Sequence, residues 1–287
     1  MTEPNPDGVE HYYNARVAEK LHDFTHPLPR IEAAIETLAE WAPASPKRVL
    51  EIGCGVGATA WRMARAWPQA EVIATDISSG SLEVARICFQ RPNLTYQMFS
   101  TSDGSLTGAF DLIVMMDVYE HIAPGDRAAL HQAIRSLLAA ESRFILMIPT
   151  PEHQQYLRDE VPGGLQPVDE DIDLPQISEL AEATDTKLLF YRKLGIWNYG
   201  DYFHMVLGRY QNLAPVAVRE WQPEGWQAVK HAVKRRFGPA PESAGLRDYL
   251  GADLLAEGGA DPRAKFQVSL AERRRVAANW LRRGHGA

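Results

Sequence analysis

The sequence predicts an α/β fold in which a mostly parallel sheet is covered by helices on both faces. Three observations predict it. Short apolar runs alternate with amphipathic stretches from residue 48 to residue 183, the rhythm of parallel strands, each of which needs a helical crossover to reach its neighbour. The first run empties directly into glycines, in RVLEIGCGVGATAWRMARAW (48–67). The last two runs are joined only by LGIWNYGDY, too short for a crossover, so that pair is expected to be antiparallel. With 287 residues, 45% hydrophobic and 23% charged, the chain can bury one sizeable core and carry a smaller appendage.

Taken in order, residues 9–41 read as helices. Val17, Leu21 and Phe24, then Ile31, Ala34, Ile35, Leu38 and Trp41, recur at steps of three and four. The prolines of HPLP (26–29) interrupt that pattern. Strands are expected at 48–52, 71–75, 94–99, 110–116 and 144–148, with helices at 59–66, 81–90, 125–139 and 175–183. The antiparallel pair falls at 187–193 and 203–208. This divides the chain into N-terminal cap helices (1–44), a core (45–212) and a basic, partly helical C-terminal extension (213–287).

The glycine turn admits two ligands. Gly53, Gly55 and Ala58 have the spacing of dinucleotide-binding turns, whereas Glu51, Gly53, Gly55 and Gly57 fit a cationic ligand. In both cases glycines let the backbone turn sharply after a strand and approach a ligand at a helix N-terminus. Charge separates them, since a carboxylate at Glu51 would repel a pyrophosphate and attract a cation. Asp76 closes the second strand, where a ribose diol needs a bidentate acceptor, and suits either ligand.

Further on come FDLIVMMDVYEHI (110–122) and FILMIPTPEH (144–153). Together with VLEIGCGVG, the Thr75-Asp76 pair and the antiparallel terminal strands, they resemble the class I S-adenosylmethionine-dependent methyltransferases over roughly residues 47–210. The resemblance implies a Rossmann-like seven-stranded sheet whose last strand is antiparallel, with S-adenosylmethionine as cofactor. It implies that Glu51, Gly53, Cys54, Gly55 and Gly57 shape the site of the methionine end, that Asp76 binds the ribose hydroxyls and that Ile77 packs on the adenine. Ser102 or Asp103, in FSTSDGSL, would stand near the adenine amine. Asp117 and Val118 would face the methionine portion, a helix-entry cap being the alternative for Asp117. Tyr12 and Tyr13 would lie on a helix that folds over the cofactor, with Tyr13 in contact.

Methyl transfer is an in-line displacement that relies on alignment of the reactants, and an alcohol acceptor also needs a base to take its proton. Glu120 and His121 follow the fourth strand and His153 follows the fifth, on loops at the carboxyl ends of the strands where an open α/β sheet places its site. Imidazole titrates near neutrality, so His121 and His153 are the candidate bases. The Glu-His pair recurs in family members with different acceptors, which leaves His121 an architectural reading as well. His204, inside a strand, reads as a core histidine. No Asn/Asp-Pro-Pro-Tyr/Phe motif follows the fourth strand and no Pro-Cys pair exists. The implied reaction is therefore O-methylation of a small-molecule, sugar or carrier-bound acceptor, with Trp197, Tyr199 and Tyr202 as flat surfaces beside it. The rival readings are N-methylation of nucleic acid or peptide guided by a basic tail, a non-catalytic S-adenosylmethionine-binding module, and a nicotinamide-dependent enzyme.

Charge is uneven. From Pro215 onward 13 Lys and Arg face 8 Asp and Glu, within a chain of net charge −7. The basic clusters KHAVKRRFG and ERRRVAANWLRRG read as solvated helix faces docked on the body, or as a surface for an anionic partner. Cys54 and Cys88 form neither a disulfide framework nor a zinc set, and the acids Asp169, Glu170, Asp171 and Asp173 read as a solvated loop, so no metal is expected. A polar N-terminus and the lack of a long apolar run point to a cytoplasmic protein with no membrane span. The expected partner is a small-molecule or glycan acceptor and not a nucleic acid, and an oligomer is compatible with this reading.

Overall fold

The computed structural model describes residues 6–98, 106–209 and 263–281. The basic cluster at 230–238 and the expected adenine contacts Ser102 and Asp103 lie outside them. Seven strands form one sheet: β1 Arg48–Ile52, β2 Glu71–Asp76, β3 Leu94–Met98, β4 Phe110–Met116, β5 Leu138–Pro149, β6 Lys187–Leu194 and β7 Tyr202–Arg209, in the order β3-β2-β1-β4-β5-β7-β6. The first five run parallel to one another. Only β7 is reversed, inserted antiparallel between β5 and β6, as the short connection from Leu194 to Tyr202 requires.

Three helices precede the sheet: α1 Pro6–Asn14, α2 Val17–Thr25 and α3 Pro29–Trp41. Pro29 starts α3, where its missing N–H costs nothing. Then follow α4 Ala58–Ala66, α5 Ser79–Cys88, α6 Pro124–Leu137, α7 Pro151–Glu160, α8 Leu174–Ala183 and α9 Leu270–Leu281. The strands are apolar on both sides, so two cores form. One joins Val49, Val72 and Val114 to side chains of α2 to α5 and α9, including Ile35, Met63 and Leu82. The other joins Leu50, Ile113 and Leu146 to α6 and α8 through Ile134 and Ile177. Burial of apolar surface on both faces is what holds a parallel sheet together.

Two elements differ from the sequence reading. The amphipathic pattern of α6 runs on through LLAA, yet the helix ends at Leu137 and β5 begins at Leu138. There the Arg209 guanidinium donates to the Leu138 carbonyl at 3.0 Å and to the Thr184 carbonyl at 2.6 Å, so strand pairing at the far end of the chain overrides local helix propensity. Residues 151–160 form α7, which has Gln154 as its single buried side chain and therefore no apolar stripe to read. Its signal is at its start, where Thr150 accepts from the His153 N–H and Pro151 occupies the first turn.

At its other end the described chain returns to the core. Phe266 is fully buried against the edge of Trp67, and Val276 and Ala277 of α9 are buried beside α2 and α5. Arg273 also turns inward while Arg274 and Arg275 stay exposed, so the second basic cluster is not uniformly solvated. No helix among the described residues is long and apolar enough to cross a membrane.

Candidate functional site

The strand order reverses between β1 and β4, and the crevice outside the carboxyl ends of these strands is where an open α/β sheet binds ligands. The glycine turn sits there. The Gly53 and Cys54 N–H groups both donate to the Thr75 carbonyl at 2.8 Å, tying the turn to the end of β2. Gly53 has φ +76° and a Cβ on it would overlap the Val118 side chain. Gly57 caps α4 with φ +87°, and a Cβ there would stand 2.6 Å from the Tyr96 hydroxyl. Both positions demand glycine.

Asp76 is buried and accepts from the Gly55 N–H at 2.7 Å through one carboxylate oxygen and from the Ser78 N–H at 2.8 Å through the other. A carboxylate oxygen accepts more than one bond, so both oxygens keep capacity for a ligand. Asn14 of α1 accepts from the Ser78 hydroxyl and the Gly80 N–H, and Glu10 accepts from the Ser79 hydroxyl at 2.7 Å. These bonds hold α1 against the start of α5.

A cavity of about 410 Å³ opens at the glycine turn, walled by Tyr13, Lys20, Glu51, Gly53, Gly55 and Asp117 among others. Glu51 is 3% exposed, and burial, opposed by the Ala60 N–H and reinforced by Asp76, pushes its carboxyl up to about 8. Its Oε2 has no hydrogen-bond partner among the described residues. An unpaired buried carboxyl oxygen is costly, and a cationic group is the partner that relieves it. This is the fit expected of a site for the ammonium-bearing end of S-adenosylmethionine. Cys54 also lines the cavity, its thiol pushed well up by burial, which suits a small apolar neighbour and not a nucleophile.

A second cavity of about 480 Å³ shares Arg30, Asp117, Gly164 and Gln166 with the first. Asp117 sits in the left-handed region at φ +54° and is ion-paired to Arg30 of α3. Glu120, His121 and His153 line this cavity together with Gln154, Trp197 and Tyr202.

The two histidines differ in their surroundings. His121 has Nδ1 at 2.7 Å from the Val168 carbonyl and 3.0 Å from the Asp169 carboxylate, and Nε2 at 2.9 Å from the Gln166 amide nitrogen. Burial alone would depress its pKa, but Glu120, Asp169 and the Val168 carbonyl outweigh that and raise it. Glu120 is 1% exposed and its carboxyl is raised by burial against the attraction of His121. His121 therefore clips the exit of β4 to the loop before α8, assisted by the bond from the Glu170 N–H to the Glu120 carbonyl at 2.9 Å. His153 is held lower than an ordinary histidine by burial, against weaker pulls from Asp201 and Asp169, and its Nδ1 has no hydrogen-bond partner among the described residues. It stacks on Trp197 with centroids 6.1 Å apart and packs beside Tyr202.

Trp197 is presented by a loop pinned on Asp201, whose carboxylate accepts from the N–H groups of Ile196, Trp197 and Asn198 at 2.6, 2.8 and 3.0 Å. Burial would raise the Asp201 carboxyl, and these N–H bonds reverse that and lower it. Asp201→Asn is expected to cost about 1–2 kcal/mol through the loss of charge-assisted bonds, read as the shift of a denaturation midpoint at pH 7. An unchanged midpoint would mean the loop holds itself.

The acids at 169–173 each have a partner, while Asp171 and Asp173 stay exposed as expected of a solvated loop. Asp169 accepts from the Gln166 N–H at 2.6 Å, Asp171 pairs with Arg158 at 2.9 Å and Asp173 forms a capping box at the start of α8. No group of three or more potential metal ligands occurs among the described residues.

The methyltransferase-domain family model matches residues 18–189. The chain belongs to that family. A ubiquinone biosynthesis O-methyltransferase from Albidiferax ferrireducens is 33% identical over 109 residues, covering 36% of this chain and 42% of that protein. A release factor glutamine methyltransferase from Bordetella pertussis is 37% identical over 114 residues, covering 36% and 42%. The aligned part thus spans less than half of these relatives. The magnesium protoporphyrin IX methyltransferase from Synechocystis PCC 6803, whose crystal structure has SAH bound, shares the fold with a TM-score of 0.51 at 19% identity, covering 63% of this chain and 84% of that one.

Of the cofactor residues the family resemblance points to, Tyr13, Glu51, Gly53, Cys54, Gly55 and Asp117 wall the first cavity. Gly57, Asp76 and Val118 adjoin the turn, Gly57 as the cap of α4, Asp76 bonded to the Gly55 N–H and Val118 packed at Gly53, and Ile77 is 38% exposed just past β2. Sequence reasoning missed Lys20 and Arg30, which line the first cavity, and Gln154, Gln166 and Asp169, which line the second. The four-residue step from Arg16, which precedes α2, to Lys20 on it was the available signal for Lys20. Arg30 carried none.

Proposed function

We propose that this chain transfers a methyl group from S-adenosylmethionine to a hydroxyl of a small-molecule, sugar or carrier-bound acceptor. The observation that carries this reading is the shared wall of the two cavities, which puts a cofactor-sized space against a second space lined by a base-competent histidine. S-adenosylmethionine, when bound, supplies an electrophilic methyl group on a sulfonium. Glu51 would hold the ammonium of its methionine end and Asp76 the ribose hydroxyls. His153, kept neutral at pH 7 by burial, would take the acceptor's proton at an imidazole nitrogen, with Trp197 and Tyr202 holding a ring alongside. The cationic groups of the second cavity are engaged, Arg30 by Asp117 and His121 by Asp169 and Glu120. An uncharged acceptor fits that balance better than a phosphate or carboxylate. The Glu-His pair then serves to position the loop that closes the acceptor space.

The test is calorimetric titration with S-adenosylhomocysteine, followed by transfer of labelled methyl to fractionated extract. With its carboxyl near 8, free Glu51 carries a proton at pH 7, which a bound ammonium would expel. Affinity is therefore expected to rise by up to about tenfold per pH unit from pH 6 to 8 and then flatten. Glu51→Gln should weaken binding about tenfold at pH 8 and remove that slope. A pH-independent wild-type affinity would refute the role of Glu51, and tight binding with no methyl transfer to any fraction would favour the non-catalytic reading.

A further inference from the structure

Four side chains that line the second cavity each carry a buried polar atom with no hydrogen-bond partner among the described residues: Glu120 Oε2, His153 Nδ1, Gln154 Oε1 and Gln166 Oε1. Glu120 and Gln154 are 1% and 2% exposed, so they are shielded from bulk solvent. Each of the four atoms can accept a hydrogen bond. An unpaired buried acceptor costs stability, and several around one cavity show which chemistry the cavity lacks.

The charged and amide donors of the same wall are engaged. Arg30 pairs with Asp117, and His121 Nδ1 lies 2.7 Å from the Val168 carbonyl and 3.0 Å from Asp169. Gln154 Nε2 reaches Asp169 at 3.4 Å, and Gln166 Nε2 lies 2.9 Å from His121 Nε2. The wall is therefore rich in acceptors and short of donors. A carboxylate or a phosphate would bring it only more acceptors. An ammonium is a point charge, whereas these acceptors come from three segments: the exit of β4, α7 and the loop before α8. A catechol brings two donors to four acceptors. A ring bearing more hydroxyls than that answers the whole wall. Tyr156 and Trp197 stand beside the His153 ring with centroids 6.3 and 6.1 Å away, and at 43% and 50% exposed they offer flat apolar surface for the face of such a ring.

We propose that the second cavity recognises a saccharide as the methyl acceptor, its hydroxyls donating to Glu120, Gln154 and Gln166 and the reacting one to His153. This narrows the acceptor class of the function proposed above and rests on it. Free sugar and glycosyl unit of a larger molecule share this chemistry.

The test is saturation-transfer NMR on protein loaded with S-adenosylhomocysteine. The probes are the common hexoses and pentoses, each as free sugar and as methyl glycoside, with catechol, phenol and ethanolamine beside them. At least one sugar should bind saturably, and preference for the free sugar or for its glycoside separates the two sources. Gln154→Met keeps the bulk of the side chain and removes the amide, and Trp197→Leu removes an exposed ring. Each should weaken that sugar about tenfold and leave S-adenosylhomocysteine affinity within about twofold, with thermal melting to verify folding. Sugar binding unchanged in both variants would place the sugar elsewhere and overturn the proposal. Binding of catechol, phenol or ethanolamine and of no sugar would overturn the saccharide class while leaving methyl transfer standing, and so would binding of no probe at all. A protein that does not bind S-adenosylhomocysteine would overturn the cofactor assignment and this proposal with it.

Discussion

Glu32→Ala is expected to destabilise the protein by about 3–5 kcal/mol, because it strands two buried guanidinium charges at once. Arg62, on α4, places both terminal nitrogens on the Glu32 carboxylate at 2.9 and 3.0 Å, and Arg273, on α9, adds a third bond at 2.8 Å. The arginine side chains are 2% and 5% exposed. Their remaining donors reach carbonyls of Phe266, Phe24 and Val268, which satisfy hydrogen bonds without neutralising charge. One carboxylate on α3 therefore joins α4, the loop before α9 and α9 itself beside the first cavity. The measurement is the urea denaturation midpoint at pH 7 with its slope. Adding Arg62→Met and Arg273→Met to Glu32→Ala should recover much of the loss if uncompensated charge is its cause, and a single-variant loss under about 1 kcal/mol would refute the account. Burial would raise the Glu32 carboxyl, but the hydrogen bonds and charges of Arg62 and Arg273 outweigh it and lower the pKa. A group depressed in the folded state contributes stability above its unfolded value near 4.5, and that contribution is lost as pH falls through the lower folded value. The clasp should loosen in acid and not in base.

His153→Ala is expected to lower kcat about 100-fold to 10,000-fold, the range for removal of a general base, with a smaller effect on cofactor affinity. The pH profile separates this from a packing defect. Because burial holds the wild-type imidazole lower than an ordinary histidine, activity should be flat through neutrality and fall only in mild acid, where His153 takes up a proton. In the variant that acid limb should vanish. His121→Asn provides the contrast, since His121 is tied at both ring nitrogens to the 166–169 loop. It should loosen the acceptor space and raise KM more than it lowers kcat. A His153→Ala enzyme with more than about one-tenth of wild-type turnover, or a larger kcat loss for His121→Asn, would move the base to His121.

Both candidate bases were named from sequence by the same rule, a histidine just past a strand, which placed His121 ahead of His153. The proposed reversal of that order rests on Asp169, which in sequence is one of several acids in a loop and in the fold lies 3.0 Å from His121. Asp117 is a similar case. Its place after β4 was legible, but its partner Arg30 lies 87 residues earlier on α3, with no spacing that links them. The helix carrying His153 was illegible because its contacts are polar, leaving only Thr150 and Pro151 to announce it.

The sequence by itself determined the strand series, the glycine turn with Glu51 and Asp76, and the reversed last strand. These rest on local rules: side-chain periodicity, the backbone freedom that Gly53 and Gly57 need, and a connection from Leu194 to Tyr202 too short to cross over. Only the tertiary structure decided which charges are left over. Arg273 meets Glu32 across 241 residues, and only the fold shows that Glu51 keeps a buried oxygen with no hydrogen-bond partner among the described residues. Ion pairs and burial depend on distances through space, which no local pattern encodes.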